Sequence, residues 1–369
     1  MVREVAMTRV WLRWLPAAVV PLALAAAALA GSYQAGAATS LPNKTAEEVI
    51  AMIARSDVRA LSGTLQQNSD LGLPQLPSTG PAATQGPASV IELLSGSHTA
   101  RVYMDGPAKA RFQVMDMLAE RDLVRNGTDL WLYNSADNSA AHMTLPAEPK
   151  QGPALHSPAT PGVTTPDVVA QHFLAAVGPS TEVTVGEGTT VAGRTAYQLV
   201  IKPRSTGTLV DSVTIAVDSA SGLPLGVDVR ARGQAAAAFS IAFTDVSLAT
   251  PDVGLFSFTP PRGAAVEEKA TPQMGAVPDK TKTGQGPQTK AATGQPSITG
   301  SGWDAVVALP AGTMPTDVRA APMTAQLSQA VPGGRAVTTS LVSVLMLDDG
   351  RVFAGMVPLE RLQAAAAAS

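Results

Sequence analysis

The sequence predicts an α+β protein: a large curved antiparallel sheet with a helical lid, followed by a small C-terminal α/β unit. Three observations predict it. Val191 to Pro261 alternates apolar and polar residues with period two through four successive segments. Helix-patterned segments stand before and between the strand-patterned ones. A run dominated by Gly, Pro, Thr, Gln and Lys then separates this region from a last patterned stretch.

The four segments are the clearest part of the chain. Tyr197, Leu199 and Ile201 share one face, as do Val213, Ile215 and Val217. Leu225, Val227, Val229 and Ala231 follow, then Phe239, Ile241 and Phe243. Polar residues such as Gln198, Thr214, Asp228 and Ser240 fall between them. Side chains alternate across a strand, so this is an antiparallel meander with one apolar side. Turn residues at Arg204–Gly207, Asp218–Pro224 and Gly233–Ala235 separate the strands.

The first half carries more strands and the helices. Thr45 with Glu48 three residues on is a capping box, and Ala46, Val49, Met52 and Ile53 form the apolar stripe behind it. Strands are expected at Ala60–Gln67, Ser97–Asp105, Lys109–Met117, Leu118–Arg125, Asp129–Tyr133 and Ala140–Leu145. Asn126-Gly127 between apolar runs marks a hairpin. Asn68–Pro87 reads as a long loop at the mouth of the sheet, Ala88–Ser95 as one or two helical turns, and Thr165–Val177 as a helix. These helices supply the lid.

Four regions result: a signal peptide or N-terminal anchor at 1–38, the sheet domain at 41–266, a flexible linker at 267–300 and a small C-terminal domain at 301–369. Arg3, Arg9 and Arg13 precede the apolar run Pro16–Ala30, and Ala28-Leu29-Ala30 and Ala35-Gly36-Ala37 fit small-x-small cleavage. The chain is therefore expected to be exported to the extracytoplasmic cell envelope, secreted or held by an uncleaved N-terminus. In the tail, Ala325–Val331 reads as a short helix. Val337–Leu347 reads as one strand of a hairpin that turns at Asp348-Asp349-Gly350 into Arg351–Val357, with a helix after Pro358.

Composition excludes several functions. A net charge of −3 and 4% aromatic residues supply neither the electrostatic footprint nor the stacking platforms of a nucleic-acid binder. No cysteine occurs, which removes disulfides, thiolate metal sites and a catalytic thiol. His98, His142, His156 and His172 lie in different elements without metal-ligand spacing. Gly186-Glu187-Gly188 with Gly193 departs from a dinucleotide fingerprint, and no G-x-S-x-G elbow occurs. Asp116, Glu120 and Asp122 interleave with Arg121 and Arg125 and read as a solvated strand face. No catalytic residue, metal site or cofactor is expected, and the protein reads as non-enzymatic.

An antiparallel sheet with one apolar face must cover it. On pattern alone two readings stay open: side chains fill the concavity as a plain core, or the lid leaves room for an acyl chain.

Short motifs bear on that choice. Gly193, Tyr197, Leu199 and Pro203 form a G-x-x-x-Y-x-L…P strand; Val217, Asp218, Gly222, Leu223 and Pro224 a V-D-x-x-x-G-L-P turn; Phe256, Phe258, Pro260, Pro261 and Gly263 a closing F-x-F-x-P-P-x-G. With Ser62–Gln67 and Asn126–Tyr133, the stretch Leu41–Val266 resembles the LolA-like lipoprotein-carrier superfamily. The resemblance implies a half β-barrel closed by helices, with an apolar cavity for lipid or lipoprotein acyl chains. The candidate ligand-binding residues are Leu65, Val102, Met104, Phe112, Val114, Trp131, Phe173, Tyr197, Leu199, Ile215, Val227 and Phe243. A carrier domain followed by a small second domain also resembles the RseB/MucB-like regulators of envelope-stress sigma factors. That layout implies a membrane-bound anti-sigma factor or other envelope protein as an alternative partner.

Overall fold

The computed structural model describes residues 41–73, 96–115, 120–145, 165–175, 177–269, 296–313 and 326–368. The expected signal segment, most of the loop Asn68–Pro87, the helical turns at Ala88–Ser95 and the body of the linker lie outside the described residues.

The capping box forms as its spacing requires. The Thr45 hydroxyl accepts from the Glu48 amide at 3.3 Å, and the Glu48 carboxylate accepts from the Thr45 amide at 2.7 Å. Behind it runs helix α1, Ala46–Ala54, with Val49 and Ile53 buried. Six strands follow: β1 (Ala60–Ser69), β2 (Gly96–Asp105), β3 (Lys109–Met115), β4 (Glu120–Asn126), β5 (Asp129–Asn134) and β6 (Ser139–Thr144). Helix α2 spans Pro166–Ala175. Then come β7 (Thr181–Val185), β8 (Thr189–Val191), β9 (Arg194–Pro203), β10 (Val210–Asp218), β11 (Pro224–Ala231), β12 (Ala237–Ser247) and β13 (Ala265–Glu268).

These strands make one open, curved 13-stranded sheet, in the order β13-β6-β5-β4-β3-β2-β1-β12-β11-β10-β9-β7, with β8 beside β9. Two meanders are therefore joined where β1 pairs antiparallel with β12, Leu65 opposite Phe243. Only β13 runs parallel to its neighbour among the described strands, with Val266 opposite Ala140. The α+β class and the helical lid stand as the sequence predicts. β7, β8 and β13 are additions to that reading. All four residues of β13 are exposed, so no apolar alternation marks it.

A second, six-stranded sheet has the order β14-β15-β19-β18-β17-β16. Its strands are β14 (Ser297–Thr299), β15 (Val306–Leu309), β16 (Gln329–Val331), β17 (Gly334–Thr338), β18 (Ser343–Leu347) and β19 (Val352–Gly355), and α3 (Leu359–Ala368) packs on β18 and β19. Two expectations are corrected here. Of the expected helix Ala325–Val331, Gln326 and Leu327 are helical, whereas Gln329–Val331 pairs with β17, Val331 opposite Gly334, because Pro332-Gly333 makes a two-residue hairpin turn. Val337–Leu347 is not one strand. The Thr339 hydroxyl accepts from the amides of Leu341 and Val342, a local turn that ends β17 and starts β18 afresh.

Candidate functional site

Cross-strand register shows that one apolar face runs through the whole large sheet. Leu199 lies opposite Ile215, Ile215 opposite Val227, and Val227 opposite Ile241. Across the β12–β1 seam, Phe243 meets Leu65, Leu65 meets Ala100, and Ala100 meets Val114. One step along, Val102, Phe112, Leu123 and Leu132 form a further row from β2 to β5.

The two described helices of this region pack mainly on one part of this face. α1 packs on β7 and β9, and α2 on β11 and β12. Val49, Ile53, Ala170 and Phe173 from the helices join Tyr197, Leu199, Ile215, Val227 and Ile241 in one buried cluster. The β1–β6 half belongs to a second cluster with Leu65, Val102, Phe112, Val114, Leu130 and Phe243 buried. Around them Met104, Leu132, Met143 and Leu145 are only partly buried. Of the twelve expected ligand residues, Tyr197, Leu199, Ile215 and Val227 thus sit under the lid, and Phe173 is part of it. Leu65, Val102, Met104, Phe112 and Val114 sit on the β1–β6 half, joined by Phe243 from the adjoining β12.

Trp131 is the exception, because it lies on the other side of the sheet from the remaining candidates. Leu130 and Leu132 take the inward positions of β5, so Trp131 and Tyr133 point to the opposite side of the sheet. There Trp131 stacks on His142 at 4.4 Å and lies 5.5 Å from Phe258. His142 bridges two carboxylates, with Nδ1 at 2.9 Å from Glu268 and Nε2 at 3.2 Å from Asp129. β5 is apolar on both sides, so alternation alone could not choose its inner face.

The closing motif covers this outer side. Leu255 gives its carbonyl to Arg111 Nη1 at 3.2 Å, and Phe256 is buried. Arg111 also donates to both oxygens of Asp122, Nε at 3.2 Å and Nη2 at 2.6 Å. Asp122 is therefore not on a solvated face, as its charged neighbours suggest, but 4% exposed beneath the strap. Burial pushes its carboxyl above the ordinary value, against the pull of Arg111.

The other motif residues build the frame of the lid. The Tyr197 hydroxyl donates to the Pro42 carbonyl at 3.1 Å, tying the approach of α1 to β9. Asp218 accepts from Arg194 through both oxygens and from the Ser221 hydroxyl and amide at 2.6 and 2.8 Å. This shapes the turn so that Gly222, at φ +74°, lies directly against the Met52 carbonyl of α1. Burial alone would raise the Asp218 carboxyl, but the Arg194 and Ser221 donors outweigh it and hold the carboxyl below its ordinary value.

Sequence reasoning missed one participant. Trp303, 1% exposed, joins the lid cluster from the far side of the linker. Its ring stacks on Phe173 at 5.8 Å, and its Nε1 donates to the Thr181 hydroxyl at 2.9 Å. Leu341 and Met356 pack into the same cluster, and the Leu209 amide donates to the Met356 carbonyl at 2.8 Å. Both sheets lie in one compact unit, Leu41–Ser369. Among the described residues no group of His, Asp or Glu is placed to hold a metal, and no helix is long and apolar enough to cross a membrane.

Among the described residues, the chain thus presents an open, curved sheet whose apolar face carries its helices mainly on β7, β9, β11 and β12. No family model and no curated protein sequence matches it. Solved structures are similar in plan. The MucA/MucB complex of Pseudomonas aeruginosa is 15% identical over 87% of this chain and 96% of that one, with a TM-score of 0.43. A conserved protein of Thermus thermophilus is 12% identical over 61% of this chain and 99% of that one, TM-score 0.33. A LolA superfamily protein of Nitrosomonas europaea is 8% identical over 58% and 99%, TM-score 0.23.

Proposed function

We propose that this chain is an exported, non-enzymatic protein of the cell envelope that holds the acyl chains of a lipid or lipoprotein against the apolar face of its half-barrel. The observation that carries the reading is where the described helices lie on that face. Among the described residues α1 and α2 make their main contacts with β7, β9, β11 and β12, while Met104, Leu132, Met143 and Leu145 are partly buried on the β1–β6 half. Two of these are methionines, whose flexible thioethers pack against ligands of variable shape. Acyl burial would contribute about 0.8 kcal/mol per methylene with little polar selectivity. Native mass spectrometry of the full chain from its own host should show added masses that organic extraction identifies as acyl lipid. Protein that is lipid-free from its host and takes up no lipid on incubation would sink the reading.

A second reading, a regulator acting through a membrane-bound anti-sigma factor or other envelope protein, is supported by the second sheet. Ile298 and Val307 lie opposite one another on β14 and β15 and are 69% and 36% exposed. A cross-strand apolar pair at a sheet edge is a ready protein contact. Ile298→Lys with Val307→Lys should abolish co-purification of such a partner while leaving lipid retention intact. An unchanged complex would count against this reading.

A further inference from the structure

Trp303 contacts residues on both sides of the connection between α2 and β7. Phe173 stands near the end of α2, and Thr181 is the first residue of β7, directly after the connection between them. The indole stacks on the first at an interplanar angle of 15° and hydrogen-bonds the second. Gly302 seats on the same connection, beside the Ser180 hydroxyl. The segment that leads into the second sheet thus reaches into the cluster beneath the lid.

α2 lies on β11 and β12, and β12 pairs with β1, so α2 borders the β1–β6 half of the apolar face. We infer that Trp303 is a clasp coupling the docked second sheet to the closed position of α2, so that a long acyl ligand and the docked tail oppose one another. The inference rests on the acyl-binding reading above. A chain that wedges α2 from the sheet must move Phe173, and a close-packed ring stack does not stretch; it holds or lets go. Linkage is reciprocal: whatever frees Trp303 raises affinity for the ligand, and the ligand in turn frees the tail. The polar contacts beside the clasp run from the Leu209 amide and the Thr208 hydroxyl to the Met356 carbonyl, at 2.8 and 2.7 Å, and from the Ser340 amide and hydroxyl to the Leu71 and Asp70 carbonyls, at 3.0 and 3.3 Å; all can exchange with water when the sheets part. Trp303 is therefore a positioning residue for the lid.

The test is amide hydrogen exchange and fatty-acid titration on the full, delipidated chain, with decanoic and octadecenoic acids as probes. Octadecenoic acid should lower protection at residues 177–185 and 302–309 more than decanoic acid does. Trp303→Ala should tighten octadecenoic acid binding about tenfold, and Thr181→Val, which removes only the indole's hydrogen bond, should shift it in the same direction. If Trp303→Ala does not fold, the wild-type exchange and Thr181→Val still decide. Binding with unchanged protection and equal affinities overturns the clasp and leaves the acyl reading standing. Failure of every form to bind either acid overturns the acyl reading and the clasp with it.

Discussion

Arg194 and Asp218 meet across the ends of β9 and β10 as a two-pronged pair, Nε 2.9 Å from one carboxylate oxygen and Nη2 2.7 Å from the other. The Asp218 side chain is 2% exposed, and the same carboxylate shapes the turn that receives α1. Asp218→Asn leaves the guanidinium half-matched and should cost about 3 kcal/mol in chemical denaturation at neutral pH. Its folded-state carboxyl lies below the ordinary value of 3.8, so the unfolded chain binds the proton first as pH falls. The contribution is complete above about pH 5 and is lost as pH falls through the folded value. The stability gap between wild type and Asp218→Asn should therefore narrow on acidification.

Asp122 gives the opposite sign. Burial holds its carboxyl above 3.8 in the folded state, so the folded chain keeps its proton longer and loses stability as pH rises through the window above 3.8. The advantage of wild type over Asp122→Asn should thus shrink with rising pH, while the advantage over Asp218→Asn grows. Paired urea titrations from about pH 3 to pH 7 check both slopes. Parallel slopes would contradict the assignment.

The two carboxylates also show what the sequence makes legible. β9 to β12 are evident from it because each strand is apolar on one side only, and the Asp218 turn stands out as a motif. Asp122 looks solvated because its neighbours in sequence are charged. Its burial comes from Leu255 and Phe256, which fold back from beyond β12, and no local pattern encodes that return. Trp131 misleads for a different reason: in β5 both faces are apolar, and period two has nothing to separate. Trp303 is invisible because a single aromatic after a linker has no period at all.

Gly222 tests the frame of the lid. Its φ of +74° is left-handed, and a Cβ there would run into the backbone carbonyl of Met52. Neither group can yield without moving α1 off the turn. Gly222→Ala should cost about 3 kcal/mol or more, the sum of left-handed strain and a backbone clash. Thermal melts of the two proteins measure it. Gly63 is a comparable close approach, where a Cβ would fall 2.6 Å from the backbone carbonyl of Asp245 and 2.8 Å from the Phe243 ring. The ring can tilt but the β12 carbonyl cannot, so Gly63→Ala should also be clearly destabilising, without the left-handed strain of Gly222.

The two sides of β5 give the most direct check on where a ligand lies. Leu132 and Met143 stand on the apolar face, partly buried beside Leu123 and Leu130, whereas Trp131 faces outward against His142 and Phe258. A lysine at position 132 or 143 can reach water with its ammonium while its stem stays on the sheet, so folding should survive. The charge nevertheless sits where acyl methylenes would pack, and each methylene displaced costs about 0.8 kcal/mol. Leu132→Lys and Met143→Lys should therefore lower fatty-acid affinity at least about tenfold, equivalent to losing contact with roughly two methylenes. Trp131→Ala should behave in reverse. It removes a half-buried stacked ring and should cost about 1–2 kcal/mol in stability, with affinity unchanged. Loss of affinity in Trp131→Ala alone, with both lysine variants binding normally, would place the ligand on the outer side of the sheet and refute the inner-face reading.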